Sequence, residues 1–221
     1  MISYLVNIRS IVHHSSYYMD KTEIKNFLES FTEKLSRTIV IIDFSNVEKW
    51  KESLNWKIGI QELAVVAKHF SKGDRDLRRF YYGSDYGSNN KSITLTFWSQ
   101  GILDRAKMNG FEVVTKRVKY IHDTKNPSGF TKKCDMDVEM TVDLIRLKDM
   151  YDHIVLFSGD GDLMYALRYL KNDFNKAVYV FGARNHIAGE VIDGVTDGAV
   201  TKLLFAEDFQ YRLNMDRFKY R

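Results

Sequence analysis

Three runs of this chain restrict its fold more than anything else in it: TIVII at residues 38–42, IVLF at 154–157 and AVYVF at 177–181. A strand with one wet face alternates apolar and polar residues. A strand that is apolar at nearly every position is covered on both faces, as in the interior of a parallel sheet. RRFYYG (78–83) and FEVVTKRV (111–118) read as two further strands.

Between these runs the period changes to that of a helix. Ile24, Phe27, Leu28, Phe31 and Leu35 form one stripe over 20–36, and helices are expected over 59–70 and 97–109, the latter closed by Gly110. Met136, Met140, Leu144 and Leu147 mark another as core packing, and DLMYALRYLKN (162–172) is a fifth. HIAGEVIDGVTDGAVTKLL (186–204) is expected to form one helix or two short ones. SDYGSNNKS (84–92) and HDTKNPSGFTKK (122–133), which holds the only proline, are expected to be exposed loops. Strands alternating with helices predict an α/β fold, an open parallel sheet sandwiched by helices.

The chain's 221 residues suffice for one large domain, and a hydrophobic fraction of 44% can fill its core, which excludes a disordered chain. A single cysteine, Cys134, rules out an intramolecular disulfide and suits a reducing, cytoplasmic compartment. No apolar run has membrane-spanning length, and the first residues lack a signal-peptide pattern, so they are expected to belong to the mature protein.

In open α/β sheets ligands sit beyond the C-terminal strand ends. Acids follow the strands here. Asp43 ends strand one, with Ser45 and Asn46 behind it; Ser158-Gly159-Asp160-Gly161-Asp162 follows strand four; Asp135 and Asp137 open the helix before strand four. A dinucleotide fold would have a glycine-rich phosphate loop after strand one instead. Aspartates gathered at one rim cannot all remain ionised without a cation. An all-oxygen set selects Mg²⁺ or Mn²⁺, which can serve phosphodiester hydrolysis. Each acid could alternatively cap a helix.

The net charge is only +4, but residues 116–133 carry Lys116, Arg117, Lys119, Lys125, Lys132 and Lys133 against Asp123 alone. Residues 211–221 interleave Arg212, Arg217, Lys219 and Arg221 with Tyr211, Phe218 and Tyr220. Cations among rings suit single-stranded nucleic acid, although a solvated charged surface reads the same way.

These motifs resemble the NYN-domain family, a LabA-like branch of the PIN-like nucleases. Asp43-Phe-Ser-Asn46 is similar to the family's Asp-x-x-Asn at the end of strand one, and FSGDGDL (157–163) to its strand followed by Ser-Gly-Asp-x-Asp. Lys133, Asp137 and Asp143 are similar to its lysine and paired acids, and VYVFG (178–182) to a later strand. Asp197 is a candidate for a late family acid. The family's lysine usually stands where this chain has Cys134.

The resemblance implies a PIN-like, Rossmann-like fold with strand order 3-2-1-4-5 and a metal-dependent endoribonuclease. It implies Asp43, Asp137, Asp160 and Asp162 around Mg²⁺ or Mn²⁺, with Asn46, Ser158, Asp135, Asp143 and Lys133 in support. Asp135 and Asp137 compete for the metal-facing position. Asp143 lies roughly 120° around an ideal helix from Asp137, off the ligand face. RNA is the implied partner, guided by Lys116, Arg117, Lys119, Lys125 and Lys132. The competing functions are a catalytically weak RNA-binding or protein-interaction module and a metal-dependent phosphatase.

The expected organisation is an N-terminal helical arm (1–37), the catalytic domain (38–208) and a basic aromatic tail (209–221). The arm could cap a sheet edge, mediate a homodimer or shape a groove. His13, His14, His122, His153 and His186 have no zinc-like spacing, Cys134 has no base beside it, and Trp50 and Trp56 are expected to be buried.

Overall fold

The computed structural model describes residues 20–33, 37–71, 77–87 and 92–216. His13, His14, the arm before residue 20, Leu35 and tail residues 217–221 lie outside the described residues. The described strands are β1 (Thr38–Asp43), β2 (Arg78–Ser84), β3 (Glu112–Arg117), β4 (Lys119–His122), β5 (Phe130–Lys133), β6 (His153–Phe157), β7 (Ala177–Gly182) and β8 (Lys202–Phe205). The helices are α1 (Lys21–Glu33), α2 (Phe44–Lys49), α3 (Lys51–Leu54), α4 (Ile60–Ser71), α5 (Phe97–Met108), α6 (Asp137–Arg146), α7 (Met164–Phe174), α8 (Gly189–Thr196) and α9 (Gln210–Leu213).

Six strands make one parallel sheet in the order β3-β2-β1-β6-β7-β8. Counted over its first five strands, this is the expected 3-2-1-4-5 order. The continuous apolar run of β1 is explained by burial on both faces. Val40 and Ile42 pack with Leu63, Ala67 and Phe70 of α4, whereas Ile39 and Ile41 pack with Met140 and Leu144 of α6 and Leu167 and Leu170 of α7. The helix α1 begins with a capping box, Asp20 Oδ1 accepting the Glu23 N–H at 2.8 Å and Glu23 Oε2 accepting the Asp20 N–H at 2.8 Å. Its Ile24 and Leu28 are buried in the same cluster as α4.

Two segments differ from the sequence reading. The expected loop 122–133 contains β5, which pairs antiparallel with β4 through Lys119↔Lys133 and His122↔Phe130, turning at Asp123 and Asn126. The segment 186–204 contains one short helix, α8, followed by a sixth strand of the sheet, because Gly198, with a positive φ, ends the helix and β8 pairs with β7. His153 is the first residue of β6.

One buried polar node fixes α6 against the sheet. Asp143 is 7% exposed; Tyr81 Oη donates to its Oδ2 at 2.6 Å, and Arg146 Nε lies 2.7 Å from its Oδ1. Arg79 Nε lies 2.8 Å from Oδ2 as a charge pair rather than an aligned hydrogen bond. Burial, then the bond to Asp143, drives the Tyr81 phenol far above its usual range. Removing one member of a buried charge pair strands the other in the interior. Asp143→Ala is therefore expected to lose about 3–5 kcal/mol of stability in urea unfolding, and Asp143→Asn, which keeps an acceptor for Tyr81, less.

Candidate active site

The register Ile42↔Phe157 makes Asp43 and Ser158 neighbours at the ends of adjacent strands. Ser158 Oγ donates to Asp43 Oδ2 at 3.1 Å, and Asp43 Oδ1 accepts the Asn46 N–H at 3.2 Å, so the acid also caps α2. Asn46 Oδ1 in turn accepts from Trp50 Nε1 at 2.8 Å and from the Gly159 N–H at 3.0 Å. This amide ties the turn after β1 to the turn after β6. Within the second turn, the Asp160 N–H donates to Ser158 Oγ at 3.2 Å and the Asp162 N–H to Asp160 Oδ1 at 3.2 Å. Gly159 is required there: a methyl group on its Cα would overlap the His186 carbonyl.

These turns form one wall of a cleft of roughly 620 Å³ at the C-terminal edge of the sheet. Asp43, Asp160 and Asp162 line it together with Asp135 and Asp137 from the start of α6 and Asp85 from the end of β2. Lys49, Lys51, Lys132 and Lys133 line it as well. Of the five strand-end and helix-start acids, Asp43 is the N-cap of α2 and Asp135 Oδ1 accepts the first N–H of α6, from Asp137, at 3.1 Å; α7 is preceded by Leu163 with no side-chain cap bond.

The acids act on one another. Burial pushes the Asp43 carboxyl up against the bonds from Asn46 and Ser158, and the charge of Asp160 adds to the rise. Asp137 is pushed up to about 7, first by burial and then by Asp135, Asp160 and Asp43. The proton it holds is shared with Asp135, whose carboxyl is lowered chiefly by that bond. Asp85 is different: burial opposes ionisation, but bonds from Lys132 at 2.8 Å, Tyr120 Oη at 2.7 Å and the Gly87 N–H keep it below its usual range.

The residues expected from sequence divide clearly. Asp43, Asp137, Asp160, Asp162, Asp135, Asn46, Lys132 and Lys133 line the cleft, and Ser158 lies buried behind Asp43. Asp143 belongs to the node with Arg79, and Asp197 pairs with Arg168 at 3.0 Å. Lys116 is held by Glu139 at 2.9 Å, and Arg117 lies over the Tyr86 ring at 4.7 Å. Lys119 and Lys125 sit on the β4–β5 hairpin outside the lining, and His122 meets the edge of Phe130 at 5.9 Å. Trp50 is buried and Trp56 half-buried. Sequence reading overlooked Asp85, although it follows strand two as Asp43 follows strand one. It also missed Glu48, Glu52 and Trp98 in the lining.

An all-oxygen donor set with one carboxyl raised by burial and by neighbouring acids fits a hard divalent cation. Among the described residues the acids line the cleft without three of them forming a ready cage.

Residues 37–200 match the NYN domain family. Over 98 residues the chain is 33% identical to the low amplitude and bright protein LabA of Synechococcus elongatus, a match covering 39% of this chain and 53% of that protein. The chain thus spans about half the length of this curated relative. The crystal structure of a protein of unknown function from Vibrio parahaemolyticus has the same fold, with a TM-score of 0.53 at 21% identity over 77% of this chain and 92% of that one.

The Asp137 shift carries a pH dependence. An unfolded aspartate releases its proton near pH ~4, whereas the folded one keeps it to about 7. Between those limits the folded state binds more protons, so this group's contribution is fully present below about pH 4 and is lost as pH rises through about 7. Melting of the metal-free protein is expected to fall between about pH 5 and about pH 8, and Asp137→Asn to flatten that fall. A slope unchanged in the variant would contradict the assignment.

Proposed function

This chain belongs to the NYN domain family, whose members are generally nucleases, and we propose that it is a metal-dependent endoribonuclease acting in the cytoplasm. The observation that carries this reading is the cleft itself. Aspartates from four separate segments line it, and burial together with the neighbouring acids raises one of them, Asp137.

Asp43, Asp137, Asp160 and Asp162 would hold Mg²⁺ or Mn²⁺. The chemistry supplied by such an ion, when bound, is neutralisation of the scissile phosphodiester and activation of the attacking water. The chain's own residues prepare for it. Ser158 and Asn46 lock the Asp43 carboxylate in one orientation. The Asp135–Asp137 pair gives up its shared proton on loading, so metal uptake should grow stronger with pH. Lys49, Lys51 and Lys133, beside the acids, offer charge to the phosphates on either side of the cut. No covalent nucleophile is required, and burial raises the Cys134 thiol, which makes it a poor one. No helix among the described residues is long and apolar enough to cross a membrane.

The test is cleavage of a labelled single-stranded RNA with Mn²⁺. Asp160→Asn should lose more activity than the roughly 10- to 100-fold typical of removing a group that only supports a ligand, and Asn46→Ala should fall within that range. Asp160→Asn should melt near the wild-type temperature in the absence of metal, whereas Asn46→Ala, which leaves the Trp50 Nε1–H and the Gly159 N–H without their acceptor, should melt lower. Full Mn²⁺-dependent cleavage by a contaminant-free Asp160→Asn preparation would overturn the reading.

A further inference from the structure

Trp98 is 65% exposed and its neighbour Phe97 95% exposed, both in the first turn of α5. Two large aromatic side chains left in water at one place mark a contact surface. Their position gives them meaning. Trp98 lines the acidic cleft and also a second groove of roughly 630 Å³, and Glu48 and Lys51 line both, so the two depressions meet at this ridge.

The second groove has a different chemistry. Phe44, Val47, Ile60 and Ile102 supply apolar walls, and Lys51, Lys57 and Arg105 supply cations. Its acids are Glu48, whose carboxyl is raised by burial, and the buried Glu62. Among the described residues no aspartate lines it. The cleft needs a cation before it can accept phosphate; the groove can accept phosphate on its own lysines and arginine.

We propose that the Trp98 indole is a base-stacking platform and that the second groove carries the adjoining stretch of a single-stranded RNA. This deepens the nuclease reading and rests on it. A base can lie on an indole only if its face is free, which a single strand allows and a duplex forbids. The cationic side chains match the phosphates of that strand, and the apolar walls its bases.

The test separates binding from cleavage. Octauridylate RNA carrying a 5′ fluorescein is titrated into the protein in EDTA, with the anisotropy of the label reporting affinity and tryptophan fluorescence reporting contact with the indole. Trp50 is fully buried and Trp56 half-buried, so quenching reports Trp98. Wild-type emission should be quenched on binding. Trp98→Ala should lose the quench and bind roughly 5- to 150-fold more weakly, the range for one stacked base, whereas Trp98→Phe should bind nearly as wild type. Lys57→Ala with Arg105→Ala should reduce the slope of log affinity against log salt by about 1.4.

Wild-type affinity in Trp98→Ala, or equal affinity for an eight-base-pair duplex, would overturn the proposal. So would sedimentation showing a dimer that Trp98→Ala dissolves, since the ridge would then belong to a second copy. Quenching and binding without any Mn²⁺-dependent cleavage would sink the nuclease reading and leave the platform standing. Cleavage with unaltered affinity in Trp98→Ala would do the reverse.

Discussion

The hydrogen bond from Ser158 Oγ to Asp43 Oδ2 spans the ends of two parallel strands that are 115 residues apart in the chain. It exists because β1 and β6 pair in one register, and that register is fixed by apolar residues buried on both faces of both strands. Sliding β6 by one residue would exchange those faces and separate Ser158 from Asp43. The Asn46 amide then joins the two turns, so Asp160 and Asp162 inherit their positions from the same pairing. The acidic rim is thus a consequence of core packing.

Asp137 reaches that rim from another direction. Its helix, α6, is pinned to β2 by Asp143, bound by Tyr81 and paired with Arg79 and Arg146. The same helix therefore carries two acids with opposite roles: one satisfied by cations in the interior, one left without a cation at the cleft. The contrast with Asp85 is similar. Lys132 and Tyr120 from the β4–β5 hairpin neutralise it, and in doing so anchor the hairpin beside the cleft. Carboxyls raised by burial and by one another are left at Asp43 and Asp137, where a hard cation is the simplest remedy.

Much of this was legible from sequence. Doubly buried strands read as unbroken apolar runs, so β1, β6 and β7 were plain, and looking just past the strand ends located Asp43, Asp160 and Asp162. The missed elements are those whose stability comes from tertiary partners. The strand β5 (FTKK) is fully exposed and has no apolar pattern of its own; it exists by pairing with β4. The strand β8 (KLLF) is four residues long and lies at the sheet edge behind a helix rich in glycine. Pairing also decides which cations are engaged. Six basic residues in one segment look equivalent as text, yet Glu139 takes Lys116 and Asp85 takes Lys132. Trp98 escaped notice because exposure is a property of the fold, and its flanking residues resemble any helix start.

The account stands on the aspartates of β1, the β6 turn and α6 sharing one cation. Anomalous diffraction from a crystal grown with Mn²⁺ tests this most directly. It should show density bounded by Asp43, Asp137 and Asp160, absent when Asp43 is replaced by Asn. A crystal saturated with Mn²⁺ whose anomalous density lies only outside the cleft would contradict it.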